Sequence, residues 1–279
     1  MDTAARSTGA PGSETTTWDV DSVATELLAC ESERRERTKF TEEWPELDVK
    51  TAYQIQDETL RRRIARGEKL IGIKLGLTSR AKQKRMGVDT PFVAWLTDAM
   101  VLPAGEPVPQ SRLIHPRIEP EIVFVMGQRL AGPVSAAQAL AAVETVHGGA
   151  EIIDSRFRDF KFAAADVVAD NASTGAFVIG PVGLRPAELD LATEATRVEV
   201  DGQLVDTATG AAVLGHPAEA LALAVNDLAT RGLAVEAGWV VLTGGMTDAV
   251  FAPAGCTVAC HFTHLGSVVI NGGTNLARP

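Results

Sequence analysis

Two acidic clusters that adjoin apolar runs constrain this sequence more than any other feature. Glu119 and Glu121 lead into the apolar run Ile122–Met126, and Glu151 leads into a second apolar stretch. In a β-strand, residues i and i+2 project to the same face, so Glu119 and Glu121 are expected side by side. Close carboxylates repel, and burial raises the cost unless protons or a cation compensate. Joined by Glu151 from a neighbouring strand, they would form the all-oxygen ligand set that Mg²⁺ or Mn²⁺ prefers.

A simpler interpretation of these carboxylates stays open. A Glu-x-Glu pair is also typical of a solvated sheet face, and Pro120 between the two glutamates is compatible with an edge strand. The metal interpretation gains weight from the block Ser155–Phe162, where charged residues alternate with aromatic ones. Such networks commonly brace metal-binding carboxylates. The residues predicted to brace the ligands are Asp154, Arg156 and Arg158.

Composition narrows the class of protein. The chain has 279 residues, 46% of them hydrophobic, and a formal net charge of -10. Nucleic acids and anionic membranes are unexpected partners, because phosphate contacts require clustered Lys and Arg. No apolar run is long enough to span a membrane, and the N-terminus lacks a signal-peptide pattern. Three irregularly spaced cysteines favour a structural role over a disulfide framework. A cytoplasmic enzyme with a small-molecule substrate is expected.

The chain is expected to divide into three parts. Residues 1–16, rich in Ser, Thr, Gly and Ala, are predicted to be a disordered tail. Residues 17–68 have apolar positions at helical spacing and are predicted to form a helical region, with helices over Asp19–Arg37 and Val49–Gly67. Residues 69–279 are predicted to form the catalytic domain.

Short strands separated by glycines dominate the rest of the chain. Asp201-Gly202 between two strand candidates predicts a hairpin. Because strand-helix-strand alternation is rare, the pattern favours an α+β fold with a largely antiparallel or mixed sheet. The predicted strands are Ile71–Leu75, Val101–Leu102, Glu119–Met126, Phe177–Ile179, Arg197–Val200, Gln203–Asp206, Val240–Leu242, Thr257–Phe262 and Ser267–Ile270. The predicted helices are Ser79–Met86, Ser135–His147 and Pro217–Arg231.

Three further segments are candidates for chemistry, each with a structural alternative. Lys74 lies among apolar residues and glycines, where a buried ammonium requires a partner, although it can equally reach solvent from a strand end. The polar segment Asp170–Ser173 fits either part of a substrate-binding site or a loop with an Asx-turn. Thr243–Thr247 can offer backbone amides to an oxyanion, or form a simple strand-end turn.

Several motifs in order resemble the hydratase/decarboxylase branch of the fumarylacetoacetate hydrolase superfamily. The resemblance covers roughly residues 20–272 and is carried by Gly72–Lys82, Met86–Asp89, His115–Ile122, Glu151–Phe162 and Val167–Ser173, with His264–Ser267 near the C-terminus. It implies a mixed β-roll with an N-terminal helical region. It also implies Mg²⁺ or Mn²⁺ held by Glu119, Glu121 and Glu151, with Lys74 as the catalytic lysine. The residues implied to bind substrate are Leu75, Thr78, Phe92, Lys161, Ser173 and Thr247.

The branch contains 4-oxalocrotonate (2-oxo-3-hexenedioate) decarboxylases and 2-oxopent-4-enoate hydratases of catechol meta-cleavage. Hydratases of this branch carry an aspartate where this chain has Phe92, and an apolar ring there disfavours water addition. The resemblance therefore implies decarboxylation of a 2-oxo dicarboxylate to 2-hydroxypenta-2,4-dienoate, with hydration as the alternative. A C–C hydrolase and a non-catalytic partner of the hydratase are less compatible with the motifs. A homo-oligomer and a complex with the pathway hydratase are also implied.

Overall fold

Six α-helices occur in the computed structural model, which describes residues 17–88 and 90–273. The predicted tail, residues 1–16, lies outside these ranges. Asp19 and Asp48 each accept a hydrogen bond from a backbone amide of the following helix, which fixes where the first two helices begin. The helices are α1 (Val20–Glu33), α2 (Val49–Ala65), α3 (Arg80–Met86), α4 (Ala136–Ala141), α5 (Ala164–Ala169) and α6 (Pro217–Thr230).

The strands of the described residues form one sheet of seven strands and one of four. They are β1 (Leu70–Gly76), β2 (Phe92–Thr97), β3 (Arg117–Met126), β4 (Val143–Ile153), β5 (Thr174–Leu184), β6 (Ala195–Val200), β7 (Gln203–Thr209), β8 (Val240–Gly245), β9 (Val250–Phe251), β10 (Thr257–Phe262) and β11 (Ser267–Asn271). The larger sheet has the order β2-β1-β8-β3-β4-β5, with β9 paired to β3, and the smaller has the order β11-β10-β6-β7.

The larger sheet is mixed and strongly curved. β1 pairs in parallel with β8, whereas its other strand pairs are antiparallel, as the sequence pattern predicts. Its two edges approach each other, because Val101 forms a bridge with Phe177 of β5 and the amide of Leu102 donates to the Phe177 carbonyl at 2.8 Å. Curvature of this kind brings together side chains from strands that are not neighbours. The more specific description as a β-roll stays a prediction.

The helix predicted over Ser135–His147 is wrong beyond its first turns, because α4 ends and β4 begins within that range. Gly148 and Gly149 lie inside β4 and weaken its strand signal in the sequence. Both glycines are needed for close packing. A Cβ atom at Gly148 would lie 2.5 Å from the Phe262 ring, and one at Gly149 would lie 2.5 Å from Val123. Contacts with other strands, one in the same sheet and one in the smaller sheet, therefore decide this element, and the local sequence does not display them.

Two further differences concern the edge of the larger sheet. β2 is a strand that the pattern does not predict, because all six of its residues are buried and no polar alternation marks it. The predicted strand at Val101–Leu102 is wrong, since Val101 makes only an isolated bridge.

The smaller sheet confirms the predicted hairpin between β6 and β7. Asp201 and Gly202 have φ angles of 50° and 75°, the left-handed pair that a tight two-residue hairpin turn requires. Cys256 and Cys260 are buried, and both are free thiols, as is Cys30.

Two large hydrophobic cores and a smaller third one hold the elements together. The larger core joins the curved sheet to the apolar face of α6 and to inward-facing residues of the smaller sheet, including Val258 and Val268. The second core packs α1 and α2 against α5 and against Phe92 of β2 and Phe157. The N-terminal helices therefore pack against the segment that follows β4. No helix in the described ranges is long and apolar enough to cross a bilayer.

Candidate metal and active site

Three carboxylates converge on the inner side of the curved sheet. Glu119 and Glu121 lie on β3, and Glu151 lies directly opposite Glu119 on β4. Each residue offers a carboxylate oxygen, and these oxygens lie within 4.8 Å of one another. The expectation that the first two share a face and meet the third is confirmed. The solvated-face alternative is wrong, because Glu121 and Glu151 are fully buried.

The buried carboxylates are electrostatically under-compensated. Burial raises the pKa of Glu121 well above its usual range, and the charges of Glu151 and Glu119 raise it further. One of its oxygens, Oε2, accepts a hydrogen bond from the Gly244 amide at 2.7 Å. Its other oxygen, Oε1, has no hydrogen-bond partner among the described residues. A hard divalent cation satisfies both the unpaired oxygen and the excess negative charge, so the residues present fit such an ion.

Lys74 is the cation closest to this cluster. It projects from β1, is only 3% exposed, and its Nζ lies 2.9 Å from Oε1 and 3.0 Å from Oε2 of Glu151. Burial raises the pKa of Glu151, and the Lys74 ammonium opposes that rise. The alternative in which Lys74 reaches solvent is therefore wrong. Its proton-bearing atom is held beside the carboxylates, at a position from which it can contact a molecule bound there.

The glycines at the end of β8 shape the carboxylate cluster. The Gly244 amide binds the carboxylate of Glu121, so this predicted oxyanion donor is occupied by the protein itself. Gly245 lies opposite Glu121 in the sheet, and a Cβ atom there would lie 2.7 Å from Cδ of Glu119. Glycine at this position therefore leaves the space that the Glu119 carboxylate occupies.

We expect Gly245→Ala to weaken Mg²⁺ binding about 10-fold or more, because the added methyl group displaces the Glu119 carboxylate. Isothermal titration of the substrate-free protein with Mg²⁺ measures this. Gly76→Ala is the matched control, since its Cβ would meet only Ala172 at an ordinary distance of 3.5 Å. Equal Mg²⁺ affinity in both variants would show that Gly245 does not set the position of Glu119.

A small chamber lies beside the carboxylates and opens into a wider vestibule. The chamber has a volume of about 170 Å³, and four of the predicted substrate-binding residues line it, namely Leu75, Thr78, Phe92 and Ser173. The vestibule has a volume of about 850 Å³, and Lys161 lines it. Thr247 lines neither space and donates its hydroxyl to the Asp248 carbonyl at 3.0 Å. The sequence reasoning missed Lys82, Phe160 and Phe162, which line both spaces.

The chamber wall that carries Ser173 has a strained backbone. Asn171, Ala172 and Ser173 have φ angles of 48°, 49° and 59°, which are costly for residues with a Cβ atom. The side-chain amide of Asn171 holds the segment by pairing with both the N–H and the carbonyl of Trp95 on β2, at 2.8 and 2.9 Å. The Ser173 hydroxyl donates to Asp170 at 3.2 Å. The polar cluster predicted at Asp170–Ser173 is thus a braced turn that forms part of the chamber.

The residues predicted to brace the metal ligands have different roles. Asp154 accepts hydrogen bonds from the amides of Ile114 and His115, at 2.9 and 2.8 Å, and so holds the segment that precedes β3. Arg156 forms a buried ion pair with Asp170 and donates to the Thr174 carbonyl at the start of β5. Asp154 therefore supports the strand ends that carry the carboxylates, whereas Arg156 supports the start of the neighbouring strand β5.

Arg158 does not fit the bracing role. It is 58% exposed and pairs with Glu36 at 2.8 Å, at the mouth of the vestibule. Its placement follows from the turn after Phe157, where Asp159 and Phe160 both have left-handed φ angles and direct the chain outward. Within this charged block, Arg156 is therefore buried and supports the strands, whereas Arg158 is exposed at the vestibule.

Comparison with known families identifies the fold. Residues 69–271 match the fumarylacetoacetate (FAA) hydrolase C-terminal family. The chain belongs to this family. It is 44% identical over 231 residues to a 4-oxalocrotonate decarboxylase of Pseudomonas sp. (strain CF600), across 82% of this chain and 88% of that protein. The predicted relationship to the hydratase/decarboxylase branch is confirmed.

A hydratase and a solved decarboxylase structure are also close. The chain is 42% identical to a 2-hydroxypent-2,4-dienoate hydratase of Pseudomonas putida, across 77% of this chain and 98% of the hydratase. It superimposes with a TM-score of 0.88 and 40% identity on the 4-oxalocrotonate decarboxylase from Pseudomonas putida G7 complexed with magnesium and adipate, covering 90% of this chain and 96% of that one. Because the two activities occur at similar identity, the chamber itself must distinguish them.

Proposed function

We propose that this protein is a metal-dependent carboxy-lyase of catechol meta-cleavage. It converts 4-oxalocrotonate (2-oxo-3-hexenedioate) to 2-hydroxypenta-2,4-dienoate and CO₂. Its similarity to 4-oxalocrotonate decarboxylases supports the proposal, and so does the carboxylate cluster beside the small, largely apolar chamber. Its site is proposed to serve a soluble dicarboxylate in the cytoplasm, within a homo-oligomer that associates with the pathway hydratase.

Glu119, Glu121 and Glu151 would hold Mg²⁺ or Mn²⁺, as the magnesium complex of the related decarboxylase supports. When bound, the ion supplies Lewis-acid polarisation of the substrate's 2-oxo group. Gly244 and Gly245 keep the ligands in place by a hydrogen bond and by leaving space, respectively.

Lys74 is proposed to donate the proton that completes the reaction. In the substrate the C5–C6 bond breaks and C6 leaves as CO₂, while the bonding pair forms C4=C5. The former C3=C4 pair then forms C2=C3, and negative charge collects on the C2 oxygen. Lys74, held beside Glu151, orients that oxygen and gives it the proton that completes the dienol. Leu75, Thr78, Phe92 and Ser173 are proposed to position the carbon chain, with Lys161 and Thr247 further out.

The apolar lining of the chamber is proposed to favour decarboxylation over hydration. Phe92 is buried and lines the chamber, as do the apolar residues Leu75, Phe162 and Val167. Among the described residues, the one carboxylate in this lining is Glu119, which belongs to the metal cluster. Within residues 17–88 and 90–273, no second carboxylate lines the chamber at a position to activate a water molecule. The apolar walls keep water away from the electron-rich dienol product.

The direct test is incubation of the purified protein and Mg²⁺ with 2-oxo-3-hexenedioate, following CO₂ release and ultraviolet absorbance. We expect CO₂ release that stops on chelation of the metal and in Glu119→Ala or Glu151→Ala. Absence of CO₂ release by the metal-loaded wild-type protein would overturn the carboxy-lyase assignment.

The second candidate is hydration of 2-hydroxypenta-2,4-dienoate, favoured by the 42% identity to a hydratase over 98% of its length. Presenting that dienoate to the same metal-loaded protein separates the two functions. Formation of a hydrated product without any CO₂ release from the dicarboxylate would establish the hydratase and show that Phe92 does not exclude water.

A further inference from the structure

Among the residues that the structure describes, one basic side chain of the vestibule has no anionic partner. Five basic residues line this space, and four of them pair with carboxylates at 2.8–3.7 Å. The four pairs are Lys39–Glu42, Lys82–Glu119, Arg158–Glu36 and Lys161–Asp159. The fifth residue, Arg117, forms no salt bridge and no side-chain hydrogen bond within residues 17–88 and 90–273. A guanidinium in this state is free to bind an incoming carboxylate.

Packing holds the side chain of Arg117 in place. Its guanidinium lies over the Phe160 ring, with 4.0 Å from Cζ to the ring centroid. That ring in turn packs on His115, with 4.8 Å between centroids. Phe160 lines both the vestibule and the inner chamber, so Arg117 is stacked on a ring that both spaces share. Stacking on one face leaves the N–H groups at the edge of the guanidinium available to a ligand.

We propose that Arg117 binds the distal carboxylate of the substrate and makes the site selective for dicarboxylates over monocarboxylate 2-oxo acids. The inference rests on the proposed function, which places the 2-oxo end of the substrate at the carboxylate cluster. Arg117 precedes Glu119 by two residues on β3, so both project to the same face, with their Cα atoms about 6.6 Å apart. An extended six-carbon dioate whose 2-oxo end lies at the carboxylate cluster spans a similar distance.

The other basic residues are less suited to this role. Lys82 lies between the carboxylates of Glu119 and Asp248, at 3.3 and 3.5 Å, and would have to leave both. Lys161 is 80% exposed, so its interactions are weakened by water and salt. Arg117 alone combines a fixed position with the planar fork that matches a carboxylate.

Arg117 should act mainly on substrate capture. Its partner is the carboxylate that loses its charge as CO₂ forms, so the interaction is strongest before the bond breaks. An interaction of this kind contributes more to binding than to the rate of the chemical step. Replacement of Arg117 is therefore expected to raise KM for the dicarboxylate with a smaller effect on kcat.

A matched pair of ligands tests the proposal without turnover. 2-Oxoadipate and 2-oxohexanoate differ only in the distal carboxylate, and neither has the double bond that activates that group for loss. Titration calorimetry with Mg²⁺ present compares the two ligands on the wild type, Arg117→Gln, Arg117→Lys and the control Lys39→Gln. Lys39 lines the same vestibule but pairs with Glu42.

We expect the wild type to prefer 2-oxoadipate by about 10- to 100-fold, the value of a charge-assisted carboxylate contact. Arg117→Gln should lose this preference while binding 2-oxohexanoate as the wild type does, and Arg117→Lys should restore part of it. Lys39→Gln should keep it.

An undiminished preference in Arg117→Gln, or equal weakening of both ligands, would overturn the proposal for Arg117 alone. Failure of the Mg²⁺-loaded wild type to bind either 2-oxo acid would instead overturn the proposed function on which it rests.

Discussion

Replacing Glu121 with glutamine is expected to abolish useful Mg²⁺ binding while making the metal-free protein more stable. Glu121 is fully buried, and burial together with Glu151 and Glu119 raises its pKa. Glutamine has nearly the same shape, can still accept from the Gly244 amide, and removes a charge from a repulsive cluster. Relieving an uncompensated buried charge should raise the free energy of unfolding by about 1–3 kcal/mol.

The same substitution removes one of the oxygens available to a cation. Because changes to supporting residues alone cost 10- to 100-fold in metal affinity, loss of a ligand should cost more than about 100-fold. Thermal melts and calorimetric titrations with and without Mg²⁺ measure both effects. Wild-type protein should gain stability on adding Mg²⁺, whereas Glu121→Gln should not. Decarboxylation should fall to background.

Glu144→Gln is the control for this pair of effects, since Glu144 is an exposed carboxylate on β4, the strand that carries Glu151. It should change neither stability nor Mg²⁺ affinity. If Glu121→Gln were stabilised by Mg²⁺ as much as the wild type, the carboxylate cluster would not be the metal site. If it were less stable than the wild type without metal, repulsion would not dominate the metal-free cluster.

The carboxylate cluster was predictable because it follows from strand periodicity. Two residues at i and i+2 must share a face, and a third glutamate beside an apolar run can supply the opposite strand. In the structure Glu151 lies directly across from Glu119, as this expectation requires. For Lys74, the cost of an unpaired buried charge made a buried partner one of two alternatives, and exposure at a strand end was the other. These features depend on local pattern and on general electrostatics.

The features that were not predictable depend on contacts between distant segments. Gly148 and Gly149 weaken the strand pattern of β4 in the sequence. Their role is to leave space for Phe262 and Val123 from other strands. The curvature that joins Val101 to Phe177 has no local signal. Lys82 reaches the chamber from α3, which is distant in sequence from Glu119. Salt bridges determine which basic residue of the vestibule can bind a ligand, and the sequence alone does not show which salt bridges form.

Replacing Lys74 with methionine is expected to reduce kcat by about 10²- to 10⁴-fold while preserving Mg²⁺ binding. Methionine has a similar length and suits a buried position, but it has no proton to give. The ammonium that lies 2.9 Å from Glu151 also competes with a cation for that carboxylate. Its removal should therefore leave Mg²⁺ affinity equal to or higher than that of the wild type, the opposite of the change expected for Glu121→Gln.

Three measurements separate proton donation by Lys74 from a purely structural role. Calorimetry with Mg²⁺ and 2-oxoadipate should show that Lys74→Met still binds both. Metal-free Lys74→Met should be less stable than the wild type, since Glu151 loses the cation that compensates its burial. In Lys74→Ala, added primary ammonium ions should restore part of the rate by occupying the vacated position. Near-wild-type kcat in Lys74→Met would exclude Lys74 as the donor. Full loss of kcat in Lys74→Ala without rescue by ammonium ions would instead assign Lys74 to holding Glu151 and the chamber in place.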